Sequence, residues 1–236
     1  MKSNKSLEFD YYLFDLDNSL LKIPYPTEYF DNILVETINT FRIKEIPQRE
    51  ERDKFWSLGD HYINHLKKWG INLDNYGEFW KNFDEIDFDY RKKLIKDNKI
   101  SLYSDVYSVL EQLSISSKKL AIVSNTAKYI VDYITEQFNL RKYFHDAFGL
   151  GYKKEQEIAK PSPKGIIQTL NKLNYNFDSS SAIMIGDSFV DIFAAKRANI
   201  SACLLKRDLQ KYPNGYRKWK YQPDYVIENL YSLVID

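Results

Sequence analysis

Tyr11-Tyr12-Leu13-Phe14-Asp15-Leu16-Asp17-Asn18-Ser19-Leu20 is the stretch whose reading decides the fold. Four apolar or aromatic residues in a row read as a short buried strand. The strand runs out into two carboxylates one residue apart, followed by Asn and Ser, which favour turns and helix starts. Burying a charge is costly unless it is paired or coordinates a metal. Two acids at the mouth of a buried strand are therefore poorly explained by packing. They make sense at the carboxyl end of a strand in an open α/β sheet, where ligands bind. Asp15 and Asp17 share a face if the strand continues through them, and a turn at Asn18 also lets both reach one place. A surface turn with two solvated acids is the plain alternative, which this stretch alone does not exclude.

Two later stretches repeat the pattern of an apolar strand ending in polar residues. Leu120-Ala121-Ile122-Val123 runs into Ser124-Asn125-Thr126, and Ala182-Ile183-Met184-Ile185 runs into Gly186-Asp187-Ser188, with Asp191 four residues after Asp187. Between them Lys160 precedes Pro161, Ser162 and a helix opening at Pro163. Taken singly, Lys160 reads as a solvated lysine, Ser124 as a helix cap and Asp191 as an acid favouring a helix start.

The set occurs in one order: Asp15-Leu16-Asp17-Asn18-Ser19, Ser124-Asn125, Lys160-Pro161, Gly186-Asp187-Ser188-Phe189-Val190-Asp191. In that order the four stretches resemble the motifs of the haloacid dehalogenase-like hydrolase superfamily, and they span positions 15 to 191. The resemblance is to the helical-cap phosphatase branch, with phosphoglycolate phosphatases among the similar proteins. It implies a phosphoaspartate mechanism with Asp15 as nucleophile. Asp17 would be the acid that protonates the leaving alcohol and the base that activates water. Ser124, the Asn125 backbone amide and Lys160 would hold the phosphoryl oxygens. Asp15, the Asp17 carbonyl and Asp187 would bind a metal, with Asp191 acting through a water. Oxygen ligands of this kind suit Mg²⁺. The family often has Gly-Thr where this chain has Asn18-Ser19, and both pairs support the same turn. In the dehalogenase branch the second acid is absent, because a halide leaves without a proton, so Asp17 points to phosphoryl transfer.

The chain around these motifs alternates strand and helix after position 99. Helices are expected from about Ser104, Ala127 and Pro163, and another after Ile185 running to about Ala198, with strands at Leu120–Val123, Ala182–Ile185, Ala202–Leu205 and Tyr225–Ile227 and a short segment around Ala147-Phe148-Gly149. Such alternation predicts an α/β fold, a Rossmann-like doubly wound parallel sheet with helices on both faces. Residues 27 to 96 instead read as helix throughout. Phe30, Ile33, Leu34, Ile38 and Phe41 stripe a first helix that Thr27 can cap. A second helix opens after Pro47, carries Phe55, Leu58, Tyr62, Leu66 and Trp69, and stops at Gly70. A third follows a cap at Asp74 or Asn75 and carries Tyr76, Phe79, Trp80 and Phe83, with a short fourth at about Asp87 to Lys96. The expected organisation is a core of residues 1–21 and 99–236 with an inserted all-helical cap at 22–98.

The chain has 236 residues, room for one such core and a smaller lobe. Its net charge of +1 argues against steering towards nucleic acid or a membrane. A single cysteine, Cys203, excludes an intrachain disulfide and sits in an apolar run, as a buried thiol does. Residues 1–9 lack the apolar core of a signal peptide, and no apolar run approaches the ~20 residues of a membrane span, so a cytoplasmic location is expected. His61 and His65 stand four apart on a helix, half of a zinc site, but no third ligand with suitable spacing is evident. Residues 206–223 interleave Lys206, Arg207, Lys211, Arg217, Lys218 and Lys220 with Tyr212, Tyr216, Trp219 and Tyr221. Such a mixture can bind nucleic acid, although a loop of snorkelling side chains is the simpler reading.

The function expected is that of a Mg²⁺-dependent phosphatase of a small phosphorylated metabolite, acting as a monomer or homodimer. A phosphomutase, or a binding protein that keeps the fold without catalysis, are the alternatives.

Overall fold

The computed structural model describes residues 7–56, 61–152, 154–209, 211 and 215–234. The strands in chain order are β1 (Tyr11–Phe14), β2 (Leu21–Lys22), β3 (Ser101–Leu102), β4 (Lys119–Ala127), β5 (Asp146–Leu150), β6 (Ala182–Gly186), β7 (Ser201–Leu205) and β8 (Tyr225–Ile227). The helices are α1 (Pro26–Thr40), α2 (Arg49–Phe55), α3 (Tyr62–Lys68), α4 (Gly77–Lys96), α5 (Val106–Ile115), α6 (Lys128–Gln137), α7 (Lys164–Lys172) and α8 (Phe189–Arg197).

β1 lies inside a sheet of order β5-β4-β1-β6-β7-β8, and every neighbouring pair is parallel. From β1 the chain winds to β4 and β5 on one side, then returns to β6, β7 and β8 on the other. The order therefore reverses at β1, which is where an open α/β sheet forms its ligand crevice.

Side chains alternate along each strand, so the sheet splits the core in two. Tyr12, Phe14, Leu120, Ile122, Ile183, Ile185, Cys203 and Leu205 pack on one face with Val109 and Leu110 of α5 and Ile130 and Ile134 of α6. Tyr11, Leu13, Ala121, Val123, Met184, Ala202 and Leu204 pack on the other with Ile166 and Leu170 of α7 and Ile192 and Ala195 of α8. A strand covered on both faces reads as a continuous apolar run, which is why β1 and β6 carry no alternation in sequence. Each fully buried aliphatic side chain contributes about 1.5–3 kcal/mol relative to exposure. Cys203 is buried, and burial pushes its thiol pKa up, as expected of a packing residue.

All of α1 to α4 lies between β2 and β3, which pair antiparallel as a two-residue ribbon. The ribbon was hidden in sequence because two residues carry no periodicity. α1 begins at Pro26 rather than at a Thr27 cap, with Tyr25 left-handed at φ 46° before it; proline at the first helical position presets φ and needs no side-chain cap. The expected second helix is divided into α2 and α3, and Leu58 lies outside the described residues. Gly70, at φ +86°, ends that pair. The expected third and fourth helices are one 20-residue helix, α4. Asn75 Oδ1 accepts the Gly77 N–H at 3.0 Å at its start. A Cβ on Gly77 would stand 1.9 Å from the Tyr152 carbonyl oxygen, so the segment after β5 presses directly on α4. Among the described residues no helix is long and apolar enough to cross a membrane.

Candidate active site

At the carboxyl end of β1 the chain makes a tight turn. Asn18 takes φ 57°, a left-handed conformation that Asn tolerates and that Gly adopts freely. This accounts for Asn where the resembling family often has Gly. The turn leaves Asp15 and Asp17 with different surroundings, and the two acids enter two different clusters.

Asp15 belongs to the first. Lys160 Nζ, almost wholly buried, donates to Asp15 Oδ1 at 2.7 Å, to Asp191 Oδ1 at 2.6 Å and to the Val123 carbonyl at 2.7 Å. All three donor positions of the ammonium group are thereby used. Burial works against the charged amine, but Asp15 and Asp191 hold the Lys160 pKa above its ordinary value. The other oxygen of Asp191, Oδ2, accepts from Ser188 N–H and Oγ at 3.1 and 2.8 Å, a capping box at the start of α8. Gly186 makes room for it, since a Cβ there would meet the Asp191 carboxyl carbon at 2.2 Å. Asp187 receives Lys211 Nζ at 2.6 Å from the segment after β7.

Oxygens of Asp15, Asp187 and Asp191 lie within 4.8 Å of one another, and no other metal-competent group of three appears among the described residues. Burial raises the Asp15 pKa; Lys160 opposes this, and Asp191 and Asp187 push it further up. Burial also raises the Asp187 pKa, with Lys211 opposing it and Asp191 adding to it. Buried carboxylates of this density need positive charge among them. An all-oxygen donor set fits a hard divalent cation such as Mg²⁺.

Ser124 and Asn125 follow the buried part of β4. Ser124 is buried, and its Oγ accepts the Thr126 N–H at 3.1 Å. The Asn125 side chain clamps the Lys160 backbone: its Nδ2 donates to the Lys160 carbonyl at 2.8 Å, and its Oδ1 accepts the Lys160 N–H at 2.7 Å. Thus the second and third motifs are stitched together, and this clamp fixes where the Lys160 side chain starts.

Asp17 belongs to the second cluster, with partners that sequence reasoning missed. Arg91 of α4 is wholly buried and meets Asp17 as a fork, Nη1 to Oδ1 at 2.6 Å and Nη2 to Oδ2 at 2.7 Å. Thr126 Oγ1 donates to Asp17 Oδ2 at 2.9 Å. Arg91 Nε reaches both oxygens of Asp87 at 2.9 and 2.8 Å, and the Tyr29 hydroxyl of α1 donates to Asp87 Oδ1 at 2.5 Å. Burial alone would raise the Asp17 pKa, but the Arg91 charge and hydrogen bonds, with Thr126, hold it below the usual carboxylate value. Nothing local marks Arg91: it stands in Asp89-Tyr90-Arg91-Lys92-Lys93, an ordinary charged helical stretch.

The two histidines stand apart from the acidic cluster. His65 packs edge-on against Trp69 at 6.1 Å, and neither His61 nor His65 joins a metal-competent group among the described residues. In the basic and aromatic stretch, Arg207 forks onto Asp105 at 2.6 and 2.8 Å, donates to the Ser19 carbonyl and lies 4.0 Å over the Tyr103 ring. Lys206, Arg217 and Lys220 lie over Tyr216 or Tyr221, and Trp219 contacts Phe189 and Phe193. The stretch thus packs Lys206, Arg217 and Lys220 on its own rings but reaches the site through Lys211, which donates to Asp187; Tyr212 lies outside the described residues.

Residues 12–205 match the family model described as haloacid dehalogenase-like hydrolase. A pyrophosphatase PpaX of Listeria monocytogenes is 31% identical over 224 residues, 94% of this chain and 93% of its own. A phosphoglycolate phosphatase of Vibrio parahaemolyticus is 32% identical over 133 residues; that match spans 56% of this chain and about half of the relative, 55%. Among solved structures, CbbY from Rhodobacter sphaeroides in complex with phosphate superposes with a TM-score of 0.68 at 16% identity, covering 94% of this chain and 95% of that one. A HAD phosphatase from Thermococcus onnurineus gives 0.56 at 25% identity, with 95% of each chain covered.

Proposed function

This chain belongs to the haloacid dehalogenase-like hydrolase family, and from that premise we propose that it is a Mg²⁺-dependent phosphatase of a small phosphorylated metabolite, working through an aspartyl phosphate on Asp15. The observation that carries the proposal is the convergence of Asp15, Lys160, Asp187 and Asp191 at the carboxyl ends of β1 and β6. Asp15, the Asp17 carbonyl, Asp187 and Asp191 would hold the metal, Asp191 through a water. Bound there, Mg²⁺ supplies positive charge that lets an anionic nucleophile approach an anionic phosphate.

The chain's own residues do the rest. An Asp15 carboxylate oxygen attacks phosphorus as the bond to the leaving oxygen breaks, and that oxygen takes a proton from Asp17. In the second step a water oxygen bonds to the same phosphorus while Asp17 takes its proton. The Asp15–phosphorus bond then breaks, and its electron pair returns to the Asp15 carboxylate. Ser124 Oγ and the Asn125 N–H hold phosphoryl oxygens, where charge gathers in the transition state, and Lys160, whose N–H groups are given to Asp15, Asp191 and the Val123 carbonyl, adds its positive charge beside them.

Residues 22–98 act as the cap over this site and 1–21 with 99–236 as the core. Closure of the cap excludes water and favours small substrates. The cytoplasm is the compartment that fits a lone buried thiol and a net charge of +1. The test is hydrolysis of p-nitrophenyl phosphate with Mg²⁺, expected in the wild type and abolished in Asp15→Asn. Equal activity in that variant refutes the assignment. A panel that includes pyrophosphate and phosphoglycolate, the substrates named for the relatives, then identifies the metabolite.

A further inference from the structure

We infer that Arg91 is a positioning residue for the second half of the reaction: from α4 it fixes the orientation of the Asp17 carboxylate that takes the proton of the water hydrolysing the aspartyl phosphate. The inference rests on the proposed function, in which Asp17 serves both steps.

The geometry is that of an acceptor. Every hydrogen bond given to the Asp17 side chain is one that it accepts: two from the Arg91 fork and one from the Thr126 hydroxyl. A guanidinium group has only donors and never loses its proton in a protein. A carboxyl group seated on that fork therefore presents lone pairs, as a base must. The seat is also rigid. Arg91 is wholly buried, and its Nε is held by both oxygens of Asp87, which is held in turn by Tyr29. A bidentate fork fixes the plane of the carboxylate as well as its distance. A base is worth most when its orientation is set before the reaction. Because Arg91, Asp87 and Tyr29 all lie between β2 and β3, the fork that fixes Asp17 comes from helices outside the main sheet, with Thr126 of β4 adding one hydrogen bond from within it. An ill-seated cap would leave the aspartyl phosphate without its base.

The two steps separate kinetically. With p-nitrophenyl phosphate the leaving group departs without help from an acid, so kcat/KM reports formation of the aspartyl phosphate, and kcat reports its hydrolysis once that step is slow. Arg91→Lys keeps the charge and loses the fork. It is expected to lower kcat by about 10-fold, to leave kcat/KM within about 2-fold of wild type, and to give an initial burst of p-nitrophenol equal to the enzyme present. Asp87→Asn, which leaves Arg91 in place but loosens its anchor, should show the same pattern more weakly. It serves if Arg91→Lys does not fold, as judged by circular dichroism and a melting curve. In an Asp17→Asn background Arg91→Lys should cost nothing further, because both act through one carboxylate.

A fall of kcat and kcat/KM together, without a burst, overturns the inference and leaves Arg91 a structural residue. Unchanged kinetics in both single variants also overturn it, as does additivity with Asp17→Asn. Failure of the proposed function looks different: wild type then lacks Mg²⁺-dependent hydrolysis, or Asp15→Asn retains it, and this inference falls with it.

Discussion

Two clusters of charge meet at the end of β1, and they are built on opposite plans. The first joins Asp15, Asp187 and Asp191 to Lys160 and Lys211. Asp15 and Asp187 follow the ends of β1 and β6, Asp191 lies in the first turn of α8, and oxygens of the three lie within 4.8 Å of one another. The second joins Asp17 and Asp87 to Arg91 and Tyr29, and its parts come from β1's exit, α4 and α1. There the guanidinium group already fills the space between the acids. Each cluster carries its own cations, ammonium groups in the first and a guanidinium fork in the second, but among the described residues only the first brings three acids close enough to hold a metal ion. The difference teaches that acids two residues apart in sequence can be assigned to unlike tasks by what the rest of the fold brings to each.

The contrast breaks most sharply at Arg91. Arg91→Met would leave Asp17 and the buried Asp87 without the guanidinium group that pairs them. Breaking a buried pair by removing one partner costs about 3–5 kcal/mol. Urea unfolding at neutral pH should show a loss of that size, and added Mg²⁺ should not restore it. A variant as stable as wild type would mean that solvent reaches this cluster. Lys160→Met tests the other plan. There the loss should fall on catalysis, about 10²- to 10³-fold in kcat/KM towards p-nitrophenyl phosphate, because Lys160 is assigned to place its positive charge beside the phosphoryl oxygens. Part of any lost stability should return with Mg²⁺, since the ion and the amine supply the same kind of charge to Asp15 and Asp191.

Metal addition alone sharpens the same distinction. Mg²⁺ at about a hundred times its dissociation constant should stabilise the protein by about 2.7 kcal/mol, a rise in Tm of several degrees for a chain of this size. Asp187→Asn should abolish most of that rise, and Asp87→Asn should keep it. A thermal shift series reads both, and an equal response from the two variants would dissolve the distinction between the clusters.

The first cluster was legible in sequence because strand ends advertise themselves. An apolar run that stops at an acid, as at Phe14-Asp15 and Gly186-Asp187, is odd locally, and the parallel sheet then brings such ends together. Lys160 was found only through its place in the ordered motifs. The core strands and helices were legible for the same reason, since their apolar runs and stripes are local. Arg91 was not, because arginine is a good helix former on any solvated face and its immediate neighbours are ordinary charged residues. Its meaning lies 74 residues away, at Asp17. The β2–β3 ribbon and the continuity of α4 were missed for lack of local periodicity. A polar position in the middle of a stripe was the available signal: Asp84, Asp87 and Arg91 fall at helical spacing on one face of α4, and all three are buried.

Asp84 supplies the smallest test, and it probes the cost of the second plan. It lies one turn before Asp87. Burial raises its carboxyl pKa well above 3.8; Asp87's charge adds to the rise and Arg91's opposes it. The sign follows from proton counting. Below the unfolded value near 3.8 the group is protonated in both states and has no effect on pH dependence. Above it the unfolded chain releases the proton while the folded one keeps it, so stability falls as pH rises until the folded pKa is reached. Asp84→Asn removes that slope while keeping the shape of the side chain. The variant should match wild type at about pH 4 and exceed it, by on the order of 1 kcal/mol, at about pH 8. Melting curves across that range give the gap directly. A gap that is constant with pH would mean that Asp84 ionises in the folded protein as it does in water, and that the acids of α4 are not shielded from solvent as Arg91's burial requires.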